Sequence, residues 1–204
     1  MAEPARVLAL DLASRCGVCD GIFGGTPKLS FVDFHREGDT DRDKFGRCLR
    51  WIARYLQDNR PDLLVIEAPV PKYDSSLVMG YRAIVLAFAF VKNVRATEVE
   101  VKTWRKYALG NGNLKRATAK ARCVELCRQL NWHVPLTKGG DPDHNAAEAG
   151  GLWLWGCATV NAKDAIRHEP LFTFRANASR QPMNDAHHPF AEVLARSTSN
   201  KDQT

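Results

Sequence analysis

Val7-Leu8-Ala9-Leu10-Asp11 and Leu63-Leu64-Val65-Ile66-Glu67 are two apolar runs of strand length, and each ends on a carboxylate. An apolar run of this length fits a strand buried in a sheet. A carboxylate at its end is costly unless it is exposed at the strand tip, hydrogen-bonded or holding a cation. Two such tips side by side make a Mg²⁺ site, because Mg²⁺ takes a few carboxylates plus waters. Both runs are followed by turn formers: Leu12-Ala13-Ser14-Arg15-Cys16-Gly17 after the first, Ala68-Pro69 after the second.

Residues 6–11 read as the first strand. Gly17, Gly21, Gly24 and Gly25 punctuate the next stretch, so 17–23 and 29–34 read as the second and third strands of a meander. In the third strand Leu29 and Phe31 point to one face, Val32 and Phe34 to the other, so both faces are at least partly covered. From 41 to 58, Phe45, Cys48, Leu49, Ile52, Tyr55 and Leu56 recur at the spacing of one helical face. Asn59-Arg60-Pro61 ends that helix, and 62–67 is the second acidic strand. Pro69 and Pro71 force a loop. A helix comes next over 75–92, apolar nearly all round toward its end, which suits the core or a dimer interface. The pattern continues with a strand over 97–101, a short helix over 102–109, a loop at Gly110-Asn111-Gly112-Asn113, a helix over 115–130, and a last helix over 142–159. Three strands, helix, strand, helix, strand, helices predicts an α/β fold with a mixed sheet: an antiparallel three-strand meander plus parallel strands, flanked by helices. Open sheets place their sites beyond strand carboxyl ends, where Asp11 and Glu67 fall.

The chain has 204 residues, enough for one domain with a sizeable core. Residues 166–204 lose periodicity and read as a loosely ordered C-terminal tail. No apolar run is long enough to span a bilayer, and Met1-Ala2-Glu3-Pro4-Ala5-Arg6 lacks the zones of a signal peptide, so a cytoplasmic protein is expected. A net charge of +6 biases the surface toward polyanions such as nucleic acid. Six cysteines include Cys16/Cys19 and Cys123/Cys127. They read as buried free thiols rather than a zinc site, since one pair lies on a hairpin and the other on an apolar helix face.

A third acidic cluster is Asp141-Pro142-Asp143-His144-Asn145-Ala146-Ala147-Glu148. Pro142 suits a first helical turn with Asp141 as cap. Glu148 lies among apolar neighbours and wants a partner, with His144 and Asn145 on its face one turn earlier. Alone, the cluster fits equally a capped helix with Glu148 at the surface.

Asp11 on the first strand, Glu67 ending the fourth and the 141–148 cluster together resemble the RuvC-type Holliday-junction resolvases of the ribonuclease H-like superfamily, in their phage-type members. Val101-Lys102-Thr103-Trp104-Arg105-Lys106-Tyr107-Ala108-Leu109-Gly110 resembles a segment of those phage-type members, and Gly110-Asn111-Gly112 with Lys115-Arg116 resembles the family's glycine-rich turn and basic helix start. The resemblance covers 6 to about 160 and implies a ribonuclease H-like nuclease domain over 1–165. It implies Mg²⁺-dependent hydrolysis of DNA phosphodiesters at a four-way junction, with Mn²⁺ as a substitute. The implied catalytic residues are Asp11, Glu67, Asp143 and Glu148, with Asp11 bridging two metals. The implied metal ligands are Asp11, Glu67, Asp143, Asn145 and Glu148. Asn145 departs from the family pattern, which carries an acid or a histidine there. Lys72, Lys102, Arg105, Lys106, Lys115, Arg116 and Lys120 are candidate contacts to branched DNA, or else a solvated face. Tyr73 is either a junction wedge or a ring packed on its own prolines. Two-fold junction symmetry and paired nicks imply a homodimer, with 75–92 as the interface. Flaps, forks or RNA–DNA hybrids are alternative substrates, and a non-catalytic junction-binding protein is an alternative class.

Overall fold

The structure is a computed structural model that describes residues 4–69 and 75–160. Strands β1 (Arg6–Asp11), β2 (Arg15–Ile22), β3 (Lys28–Asp33), β4 (Leu63–Glu67) and β5 (Arg95–Val99) form one sheet in the order β3-β2-β1-β4-β5. β1–β2 and β2–β3 pair antiparallel, while β1–β4 and β4–β5 pair parallel. The helices are α1 (Asp41–Asn59), α2 (Ser76–Val91), α3 (Val101–Leu109), α4 (Arg116–Gln129) and α5 (His144–Val160). The mixed five-stranded sheet with helices on both faces is the expected ribonuclease H-like α/β architecture.

The period of two along each central strand divides the core. Val7, Ala9, Leu63 and Val65 face α3, α4 and α5. Leu8, Leu10, Leu64 and Ile66 face α1 and α2. All eight are fully buried, which is why both strands read as unbroken apolar runs. Cys16 and Cys19 go to opposite faces by the same alternation, so this pair cannot chelate one ion. All six cysteines are buried and free.

Helix α5 lies across the middle of the sheet, apolar all round, and contacts four strands and two helices. At Gly156 a Cβ would lie 2.6 Å from Val65 Cγ2, so the helix approaches the sheet closer than any side chain there would allow. Helix α2 buries only Tyr81, Val85 and Ala89, and leaves Phe90 84% and Val91 67% exposed. Its apolar character is therefore only partly used among the described residues.

Three boundaries differ from expectation. β2 starts at Arg15 rather than 17, because Arg15 and Cys16 pair with Asp33 and Val32 of β3. β5 runs Arg95–Val99 rather than 97–101, starting after the left-handed Asn93 and leaving Val101 to open α3. The last helix begins at His144, not 142. Pro142 is held by a bridge to Leu136, and Asp143 rather than Asp141 caps the helix, its Oδ1 accepting the Ala146 N–H at 2.9 Å. Among the described residues no helix is long and apolar enough to cross a membrane.

α1 opens with a reciprocal cap. The Thr40 hydroxyl accepts the Asp43 N–H at 3.3 Å, and the Asp43 carboxylate accepts the Thr40 N–H at 3.0 Å. Thr40→Ala is expected to lower stability by about 1 kcal/mol. Urea unfolding observed by circular dichroism reads this as a lower midpoint at unchanged slope.

Candidate active site at the carboxyl ends of β1 and β4

The register places Leu10 beside Ile66, so Asp11 and Glu67 leave neighbouring parallel strands at the same sheet edge. The topology forces this: β1 and β4 are adjacent and run the same way, so their final residues share one end. α5 crosses above them and brings in Glu148, which is 7% exposed.

Electrostatics identifies these three as one group. Burial pushes the Asp11 carboxyl well above its usual range, and the charges of Glu148 and Glu67 push the same way. Lys120 and Arg105 oppose the shift. Each flanking carboxylate has a partner. The Trp104 indole Nε1–H donates to Glu67 Oε2 at 2.9 Å. Arg105 Nη2 donates to Glu148 Oε1 at 2.9 Å, and Lys120 Nζ lies 3.9 Å from Glu148 Oε2.

The other members of the acidic cluster are committed elsewhere. Asp143 caps α5 and is 2% exposed, with Arg15 Nη1 at 3.5 Å from its Oδ2. Asn145 Nδ2 donates to the Arg15 carbonyl at 2.6 Å. Arg15 itself is held by a two-point contact to Asp33 and by the Phe31 ring, 4.6 Å from its Cζ. Both residues therefore fasten the start of α5 to β2. His144 is exposed, and Asp141 is exposed in the preceding loop.

Of the predicted DNA contacts, Lys102 and Lys106 are exposed on α3, and Lys115 and Arg116 are exposed at the start of α4. Lys120, one turn on, turns inward toward Glu148. Arg105 is only 11% exposed at its side chain and also faces Glu148. Lys72 and Tyr73 lie outside the described residues, as does the 166–204 segment.

Oxygen donors from three carboxylates suit a hard divalent cation, and the mutual repulsion at Asp11 is the charge imbalance such a cation would relieve. Among the described residues, however, no three acidic, histidine or cysteine side chains close around a single point. The donor chemistry fits; Glu148 is turned to Arg105 instead.

Three residues here take roles that the sequence reading does not give them, among them Arg105, which it offers as a DNA contact. Trp104 is core at 1% exposed, and its N–H also orients Glu67. A buried indole must find an acceptor, and that was the available signal. The pairing of Arg105 with Glu148 and of Arg15 with Asp143 carried no signal, because these partners lie 43 and 128 positions away in sequence.

This sheet order, with carboxylates at the ends of β1 and β4 and a third on the crossing helix, is that of a ribonuclease H-like fold. Within it the chain has a RuvC-like resolvase fold. It superposes on the RuvC structure of Thermus thermophilus with a TM-score of 0.60 at 16% identity, over 76% of this chain and 95% of that one. A T. thermophilus RuvC in complex with Holliday junction substrate matches with a TM-score of 0.57 at 15% identity, over 78% of this chain and 96% of that one. No family model and no curated sequence matches the chain.

Proposed function

We propose that this protein is a metal-dependent, structure-specific endodeoxyribonuclease that resolves four-way DNA junctions by paired phosphodiester hydrolysis. The observation that carries the reading is the trio Asp11, Glu67 and Glu148, brought by adjacent strand ends and a crossing helix, with the charged form of Asp11 disfavoured by burial and by the other two carboxylates. Asp11, Glu67 and Glu148 would hold Mg²⁺, or Mn²⁺ in its place. The bound cation would supply Lewis acidity at a phosphodiester and a water of lowered pKa. The protein's own part is to hold the carboxylates. Trp104 fixes Glu67, and the Arg15 anchor fixes the start of α5.

Lys102, Lys106, Lys115 and Arg116 are exposed on α3 and α4, the helices that bring Arg105 and Lys120 to Glu148, and give a duplex arm a cationic surface to track. The T. thermophilus protein solved with a Holliday junction supports the same substrate here. Two nicks in a two-fold junction require two copies of the site, so a homodimer is part of the proposal. The exposed end of α2, with Phe90 and Val91, supports that helix as the interface.

The test is Mg²⁺-dependent cleavage of synthetic four-way, fork, flap and RNA–DNA hybrid substrates. Symmetric paired nicks in the four-way junction are expected, with the fastest turnover there. Faster cleavage of a fork, flap or hybrid would replace the substrate. The commitment of Asn145 to Arg15 and of Glu148 to Arg105 favours one second reading, a non-catalytic junction-binding protein. Tight junction binding with no cleavage of any substrate would select it.

A further inference from the structure

The pair between Arg105 and Glu148 differs from three two-point guanidinium–carboxylate pairs among the described residues; Arg47–Asp39 shares its one-point contact and its buried Nε without a partner, but involves none of the site's carboxylates. Arg6 grips Asp20 through Nε and Nη2 at 2.9 and 2.5 Å. Arg15 grips Asp33 the same way at 2.8 and 3.1 Å, and Arg82 grips Glu98 at 2.5 and 2.6 Å. These are two-point forks, the geometry in which a guanidinium best satisfies a carboxylate. Arg105 is more buried than any of these three arginines, yet it makes one contact, Nη2 to Oε1 at 2.9 Å. Its Nε is buried with no hydrogen-bond partner among the described residues. A buried donor left unsatisfied carries a desolvation cost that a better arrangement would remove.

Position adds to this. Arg105 comes directly after Trp104, whose ring lies 5.3 Å from the guanidinium carbon and whose N–H holds Glu67. Two consecutive residues of α3 thus each engage one of the site's flanking carboxylates. Trp104 orients Glu67 without cancelling its charge. Arg105 pairs with Glu148, with Lys120 Nζ at 3.9 Å as a second positive charge.

We propose that Arg105 is a resident counter-ion for Glu148 that occupies this carboxylate in the metal-free protein and is displaced when a divalent cation binds. The inference rests on the metal-site reading above and deepens it. Displacement frees Glu148 to turn to the metal with Asp11 and Glu67. It also frees a guanidinium beside the site, where a DNA phosphate can satisfy the nitrogen now left without a partner. Metal and DNA binding are then coupled through one side chain, each favouring the other.

The experiment titrates the full chain with Mn²⁺ in the absence of DNA, by calorimetry, for wild type, Arg105→Met and Arg105→Gln. If the guanidinium competes with the metal, both neutral variants bind Mn²⁺ about tenfold more tightly than wild type, within the usual range of such couplings. Equal or weaker affinity in the variants, with wild type still binding, overturns this inference alone, because a side chain that merely positions Glu148 would be missed, not dispensed with. Absence of Mn²⁺ binding in wild type and variants alike overturns the metal-site reading and this one with it. A measurement on wild type stands independently of whether the variants fold. Solvent exchange of the Arg105 Nε–H, read by nitrogen-edited nuclear magnetic resonance, should accelerate on adding Mg²⁺. An unchanged rate at saturating Mg²⁺ overturns the displacement.

Discussion

Asp11→Asn is expected to abolish junction cleavage, by on the order of 10³-fold or more, while four-way junction binding is retained. The same substitution should make the metal-free protein more stable, and the two effects have one cause. Asp11 stands at the end of a buried strand, and its charged form is disfavoured first by burial and then by Glu148 and Glu67. A folded-state pKa raised above the unfolded value of 3.8 means that the native state holds the proton more tightly. Native stability is therefore fullest at acid pH below that value. It declines as pH rises from there through the raised pKa, and levels off above it. At neutral pH the wild type bears this penalty and the asparagine variant bears none. Thermal unfolding in chelator should show the variant melting several degrees higher, since each kcal/mol moves the midpoint by about 2–4 °C in a chain of this size. The gap should close toward acid pH. Adding Mg²⁺ should stabilise wild type more than the variant, because the ion offsets the charge that the asparagine has already removed. Equal cleavage by both proteins would remove Asp11 from the site. A variant less stable than wild type at neutral pH would remove the electrostatic account.

The strand tips were legible in sequence because central parallel strands must be apolar on both faces. A carboxylate after Leu10 or Ile66 then has no explanation in packing. The order of elements came from periodicity, since each change from period two to period 3.6 falls where the structure changes type. The 141–148 cluster was harder. Its polar side chains crowd the entry to one helix and look alike on a helical projection, and what separates them is contact with distant chain. Asp143 belongs to the cap and Asn145 to the Arg15 carbonyl, a partner 130 positions away. Glu148 alone remains with the strand tips, joined to Arg105 from α3. Asn145 thus has a structural task, which sequence spacing does not encode. The start of β2 was hidden for the opposite reason. Gly17 looked like the residue at which a strand begins, and it lies inside one.

Gly17→Ala is expected to be among the most damaging single-methyl changes in this fold, costing about 3 kcal/mol or more. Gly17 sits in β2 between Asp11 of β1 and Phe31 of β3, with ladders on both sides. A Cβ built there would lie 1.9 Å from the Asn145 carbonyl oxygen, 2.2 Å from its carbon and 2.8 Å from the Ala146 nitrogen. All three are backbone atoms, and a Cβ has no rotamer by which to avoid them. One of two elements must move. β2 is locked by two neighbours in the sheet, so the displaced element is the first turn of α5. That turn carries the Asp143 cap and the Asn145 clamp on Arg15, and Glu148 comes within one turn of it. The methyl therefore breaks the anchor and shifts the third carboxylate of the site together. Thermal unfolding should fall by roughly 6–12 °C for a loss of this size, and metal-dependent cleavage should fall with it at temperatures where the variant is still folded. Gly46→Ala is the matched control. Gly46 lies inside α1, and a Cβ there would meet nothing within 4 Å. Replacing a glycine by alanine in an open helical position stabilises by up to about 1 kcal/mol, so the same chemical change should raise the midpoint at one site and depress it at the other. A Gly17→Ala protein that melts with wild type would mean that α5 does not approach β2 this closely, and the placement of Glu148 beside the strand tips would fall with it.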